Sequence, residues 1–165
     1  MKLGTVLTCA ILLALATVAF AQDKVSGTLQ CAKADPQYSI TVGDRPNHSF
    51  MIGQNECTWT KPMEIAGTQS KEHVSTASYD ITGDKSTERG YALISMASGD
   101  KTRASWQGSS TMKEGQLQSG EGKWSFSTGT GKLRGIKGKG TYKCQGTAGG
   151  AFTCDVEGEY QVPKK

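Results

Sequence analysis

Gly122–Cys144 reads GKWSFSTGTGKLRGIKGKGTYKC. It is two β-strands around a glycine-rich turn, and the second strand carries glycine at alternate positions. Side chains on a strand alternate between faces with a period of two. Ile136, Gly138, Gly140, Tyr142 and Cys144 therefore share one face, and Lys137, Lys139, Thr141 and Lys143 share the other. The next segment, CDVEGEYQV, divides the same way. Cys154, Val156, Gly158, Tyr160 and Val162 point inward, while Asp155, Glu157, Glu159 and Gln161 point outward. One buried and one solvated face is the signature of an antiparallel sheet.

A hairpin centred on Gly149 registers the two strands. Cys144 then faces Cys154, Tyr142 faces Val156, Gly140 faces Gly158 and Gly138 faces Tyr160, so an aromatic ring can cover backbone bared by glycine. On the outer face Lys143 meets Asp155 and Lys139 meets Glu159, and opposite charges across a ladder contribute about 0.2–1 kcal/mol each. The register predicts a Cys144–Cys154 disulfide. Repeated glycine inside a strand marks a bend or close approach of another backbone, as the corners of a strongly coiled barrel require.

The run Gly129–Tyr142, GTGKLRGIKGKGTY, resembles the GGTGxFxGaxG signature of the allene oxide cyclase and dirigent barrel superfamily, which includes small bacterial members. The resemblance covers about fourteen residues and extends by pattern alone to Trp124 and Val162. It implies an eight-stranded antiparallel barrel with a central cavity, and it transfers no catalytic residue to this chain.

At the other end of the chain, Met1-Lys2 precedes an apolar run from Leu3 to Phe20, and Ala19-Phe20-Ala21 forms an A-x-A cleavage site. Residues 1–21 thus read as a secretory signal peptide, with cleavage before Gln22, leaving one domain over 22–165 in the periplasm or outside the cell. Cys9 leaves with the signal. Four cysteines remain, Cys31, Cys57, Cys144 and Cys154, and an even count in an exported chain implies disulfides. With Cys144 joined to Cys154, the other pair is Cys31–Cys57. A metal site would need closely spaced ligands such as CxxC, which the sequence lacks.

Loss of Lys2 takes the side-chain charge from +4 to +3, too little to argue for nucleic acid. The basic residues Lys132, Arg134, Lys137, Lys139 and Lys143 read as a solvated face opposite an acidic partner strand rather than a polyanion site. Glycine accounts for 21 of 165 residues, nearly double the usual share, and no segment after the signal holds a 3.6-residue apolar period. The chain is therefore all-β. Strands are expected near 25–33, 38–42, 49–60, 73–81, 89–97, 101–108 and 116–127, with 61–67 ambiguous because of Pro62. Turns fall at Asp44–Asn47, Thr82–Asp84, Ser98–Asp100 and Lys113–Gly115. This spacing is that of a meander, and closure into a barrel removes sheet edges. Trp124, Phe126, Thr102, Ala104 and Trp106 are assigned inward by parity. Tyr91–Met96 is apolar on both parities, which predicts cover by an intramolecular segment or, failing that, a partner interface.

Catalytic motifs are absent: there is no GxSxG, HExxH, P-loop or dinucleotide fingerprint, and no cofactor is expected. Candidate ligand-binding residues are few. Asp44, Arg45 and His48 form either a polar turn or a binding loop with a titrating imidazole. Glu56, if turned into the barrel beside aromatic rings, would be an acid/base group with a raised pKa; a solvated carboxylate is the plainer reading. Trp59, Trp106 and Trp124 either line an apolar cavity or pack a core, and Glu72 and His73 follow a polar turn. The composition favours an exported, non-catalytic binding protein holding a small apolar ligand in its barrel. An isomerase or cyclase acting on a small hydrophobic substrate is the alternative, and a secreted inhibitor or adhesin using an exposed loop is a third.

Overall fold

The computed structural model describes residues 22–163, so the expected signal peptide lies outside the described residues. Ten strands follow in order: β1 (Asp23–Cys31), β2 (Gln37–Thr41), β3 (His48–Lys61), β4 (Glu64–Ile65), β5 (Thr68–Thr82), β6 (Lys85–Met96), β7 (Lys101–Lys113), β8 (Gln116–Gly129), β9 (Lys137–Gly146) and β10 (Phe152–Gln161). Each expected strand is present; β5, β6 and β7 run four to five residues beyond the expected bounds. Those extensions are serine- and threonine-rich and lack an apolar alternation. The ladder partners on both sides hold them in the sheet.

Pairing runs β3-β1-β10-β9-β8-β7-β6-β5, and β5 returns to β3, so eight antiparallel strands close a barrel. β2 adds to the β3 edge and β4 to β5. The β9–β10 register is the one expected: Cys144 opposite Cys154, Tyr142 opposite Val156, Gly140 opposite Gly158 and Gly138 opposite Tyr160. Both disulfides, Cys31–Cys57 and Cys144–Cys154, are formed. The outer charges are opposed as expected, but their side chains find other partners on β1. Asp155 accepts a 2.7 Å hydrogen bond from Thr28 Oγ1, and Glu159 pairs with Lys24 at 3.6 Å. Being exposed, such pairs contribute little.

Glycine serves ring packing. A Cβ at Gly140 or Gly158 would lie 2.6 Å from Trp124 Cζ2, one at Gly138 would lie 2.9 Å from Phe126, and one at Gly90 would lie 2.8 Å from Trp106. Three large rings thus lie flat on neighbouring strands, where any side chain would displace them.

One end of the barrel is a floor. The β3–β5 connection and the 3₁₀ turn Gly131–Leu133 fold across it, burying Met63, Ile65, Leu133, Ile136 and Met96. Tyr160 Oη accepts from Ala66 N at 3.0 Å, tying the β4 hairpin to β10. The other end is a mouth, rimmed by the β1–β2 loop, the Glu114-Gly115 turn and the β9–β10 loop. Outside, Tyr38, Ile40, Val42 and Ile52 are exposed on the β2–β3 hairpin. Tyr91 and Leu93 are also exposed, 63% and 44% accessible, so the expected intramolecular cover over β6 is not there among the described residues. The inward residues of that strand, Ala92, Ile94 and Met96, account for half of its apolar pattern. The rest stands in solvent.

Candidate functional site

The barrel encloses a cavity of about 340 Å³, within the usual range for small-molecule sites. Its wall is mostly apolar. Trp59, Trp106 and Trp124 all line it, together with Phe126, Met51, Leu29, Ala92, Ala104 and Leu117. The three tryptophans are therefore both packed side chains and cavity wall, the choice left open by the sequence.

Glu56 and His48 lie elsewhere. Glu56 shares a β3 face with Gln54 and Ile52 and is exposed on the outer wall, so an acid/base role inside the barrel is excluded for it. Cys57 and Asn55, its neighbours in sequence, take the inward parity. His48 has the same outward parity, yet only 7% of it is accessible because polar neighbours enclose it. Its Nδ1 meets the Asp44 carboxylate and its Nε2 lies 2.9 Å from Asp80 Oδ1. Arg45 Nη1 meets the other Asp44 oxygen at 2.7 Å, and Arg45 Nη2 meets Thr82 Oγ1 at 3.0 Å. Two carboxylates on the two ring nitrogens suit an imidazolium. The hydrogen bond to Asp44, helped by Asp80 and opposed by desolvation, raises the His48 pKa above its ordinary value. The bond from His48 in turn lowers that of Asp44. The cluster clasps the β2–β3 loop to β5, and Gly83 N donates to Asn47 O at 3.0 Å beside it. His48 is thus a structural clasp and does not touch the cavity.

Two further titratable groups, one of them the His73 that follows the polar turn, line the cavity wall. His73 on β5 faces inward, edge-on to Trp59 with ring centroids 5.6 Å apart. Burial pushes its pKa down to about 4, so it is neutral at pH 7. Among the described residues, neither His73 Nδ1 nor Trp59 Nε1 has a hydrogen-bond partner.

The other is Glu88 on β6, nearer the mouth. It stands opposite Tyr79 on β5 and Gly108 on β7. Continuing the same row, Gly108 faces Gly122 and Gly122 faces Tyr142. Both glycines lie under the Tyr142 ring, where a Cβ on either would collide with its hydroxyl. The phenol therefore reaches from β9 across β8 and β7 and donates to Glu88 Oε1 at 3.1 Å. Trp106 packs edge-on against Tyr142 at 5.8 Å. Desolvation raises the Glu88 pKa, against the lowering effect of the Tyr142 and Ser110 hydroxyls. Burial likewise raises both phenols, Tyr79 and Tyr142, with the Glu88 charge adding to it. A carboxyl in this setting can bind a polar group of a ligand or exchange a proton with it. A signal for it was present in the sequence. Gly90, Ala92, Ile94 and Met96 share one parity, and stepping it back by two reaches Glu88.

No family model and no curated protein matches the chain. Among solved structures it is similar to a protein of unknown function from the DUF3224 family of Shewanella oneidensis MR-1. Identity is 15% and the TM-score 0.50 over 88% of this chain and 100% of that one. It is also similar to a pterocarpan synthase dirigent protein, at 10% identity and a TM-score of 0.50 over 92% of this chain and 97% of that one. At such identities the likeness is one of fold. It agrees with the dirigent-type barrel implied by Gly129–Tyr142.

Proposed function

We propose that this chain is an exported binding protein that holds a small, predominantly apolar ligand inside its barrel. The observation that carries this is the 340 Å³ cavity, walled by three tryptophans and open at the mouth end. Two disulfides fit the oxidising compartment that the N-terminal signal implies. Trp59, Trp106 and Trp124 supply the apolar wall, and Glu88, Tyr79 and Tyr142 supply polar contacts near the mouth.

The test is a thermal-shift screen with small apolar compounds, followed by mass spectrometry of whatever co-purifies. A bound ligand stabilises the folded state by RT ln(1 + [L]/Kd), so binders raise Tm by an amount that grows with concentration. Filling the cavity by Ala92→Phe should abolish the shift while the barrel stays folded. If no compound shifts Tm and nothing co-purifies, the reading fails.

A second reading, an isomerase or cyclase on a small hydrophobic substrate, is favoured by one observation. The buried Glu88–Tyr142 pair opens on the cavity with a carboxyl pKa moved toward the range useful for proton transfer. Turnover abolished by Glu88→Gln with ligand binding retained would select it.

A further inference from the structure

On the cavity wall Glu88 has no cation paired with it; Lys33 and Glu114 also line the cavity, at the rim of its mouth. Among the described residues no lysine, arginine or histidine forms an ion pair with Glu88; the ion pairs found are all elsewhere. Its hydrogen-bond partner is a hydroxyl: Tyr142 Oη donates to Oε1 at 3.1 Å. Such hydrogen bonds favour the ionised form, so the surroundings are half-built for a carboxylate, and a cation is what is missing. Aromatic rings supply the rest. Tyr79 is the cross-strand neighbour of Glu88, Tyr142 is bonded to it, and Trp106 packs edge-on against Tyr142. A cation within about 6 Å of such ring faces is attracted to them, most strongly when water is excluded.

We infer that the cavity takes a small organic cation: a protonated amine pairs with the Glu88 carboxylate while the apolar body of the ligand lies against Trp106, Tyr142 and Tyr79. This rests on the reading of the barrel as a ligand carrier and names the ligand class. Ionisation is linked to occupancy. The titratable groups facing Glu88 are Tyr79 from β5 and Tyr142 from β9; β7 and β8 present Gly108, Ser110, Gly120 and Gly122 there. Both phenols stay protonated, because burial raises them. Of these facing groups, Glu88 alone changes charge. An ammonium beside it drives off its proton, so binding releases protons and weakens as pH falls through the raised Glu88 pKa.

Two probes of matched shape decide the matter: 2-naphthylmethylamine, charged, and 2-naphthalenemethanol, neutral. Each is titrated into the purified protein at pH 8 by calorimetry, with the amine repeated in two buffers of different ionisation enthalpy at a series of pH values from 8 down to 4. The expected result is at least about a tenfold preference for the amine, proton release on its binding that grows as pH falls below 8, and loss of the preference in Glu88→Gln. The comparison in the unmodified protein needs no variant to fold. Equal affinities, or an amine preference that survives Glu88→Gln, overturn the inference and leave a carrier of neutral ligands. Binding of neither probe, up to their solubility, overturns both.

Discussion

The inner and outer faces of the same wall treat like residues in opposite ways, and the two histidines show it most directly. His48 on the outside has a carboxylate at each ring nitrogen and a raised pKa. His73 on the inside has no partner at Nδ1 and a pKa of about 4. Only strand parity separates them. Carboxylates divide likewise: Glu56 stands in water, and Glu88 is enclosed with Tyr142. Chemical identity sets little here; the side of the sheet a residue faces sets its charge state, its packing and what it can bind.

The contrast is broken most severely at Gly140. A valine there would collide with Glu157 O and Trp124, so Gly140→Val should cost about 3 kcal/mol or more, at or above the upper end of core overpacking because backbone as well as a ring is in the way. Thr141→Val, one residue on but facing solvent, should stay within about 0.5 kcal/mol. Urea unfolding of both measures the difference, and similar losses would mean that the faces are not distinct. Next is acid sensitivity. His73 binds fewer protons folded than unfolded between pH 6.5 and 4, so the stability it contributes is present above pH 6.5 and is lost as pH falls through that window. The full loss is about 3 kcal/mol for a shift of this size. His73→Leu should flatten the chemical-denaturation profile between pH 6.5 and 4.

Glu88 works in the other direction. Its raised pKa means that the folded chain holds the proton more tightly, so stability declines as pH rises from the ordinary carboxylate value through the folded one. Glu88→Gln should therefore raise Tm at pH 8 relative to the unmodified protein, and raise it less at pH 4. The smallest effect is expected at His48. Its raised pKa contributes stability that is complete below pH 6.5 and lost as pH rises through the folded value. His48→Gln should remove that slope while leaving ligand binding unchanged, since His48 does not line the cavity. NMR titration of the two imidazoles would sharpen the comparison, with His48 above and His73 below the ordinary value.

Parity makes much of this legible in the sequence alone. In β9 and β10, lysine and glutamate alternate with glycine, tyrosine and cysteine so regularly that one register satisfies sulfur, ring and charge together, and that register is the one found. The barrel wall was harder to read where serine and threonine sit on both faces, as in Ser75–Ser78 and Ser105–Ser110. There, no apolar contrast shows where a strand begins. A strand read as starting at Arg89 rather than Lys85 leaves Glu88 outside it and hides its inward parity. His73 follows a polar run, Ser70–Glu72, that conceals its parity. That run is a bulged start of β5, where the register shifts between Ser70 and Glu72 and local sequence says little about which way a ring turns.

The seam between β1 and β10 joins residues 23–31 to residues 152–160. A chain made from its amino end cannot close this ring until β10 has been made. β1 must therefore wait unpaired on that edge while the strands between them are made. Loops this long are slow to close. The earlier cysteine pair can bond while the barrel is still an open sheet, whereas the later pair is delivered together with the strand that completes it.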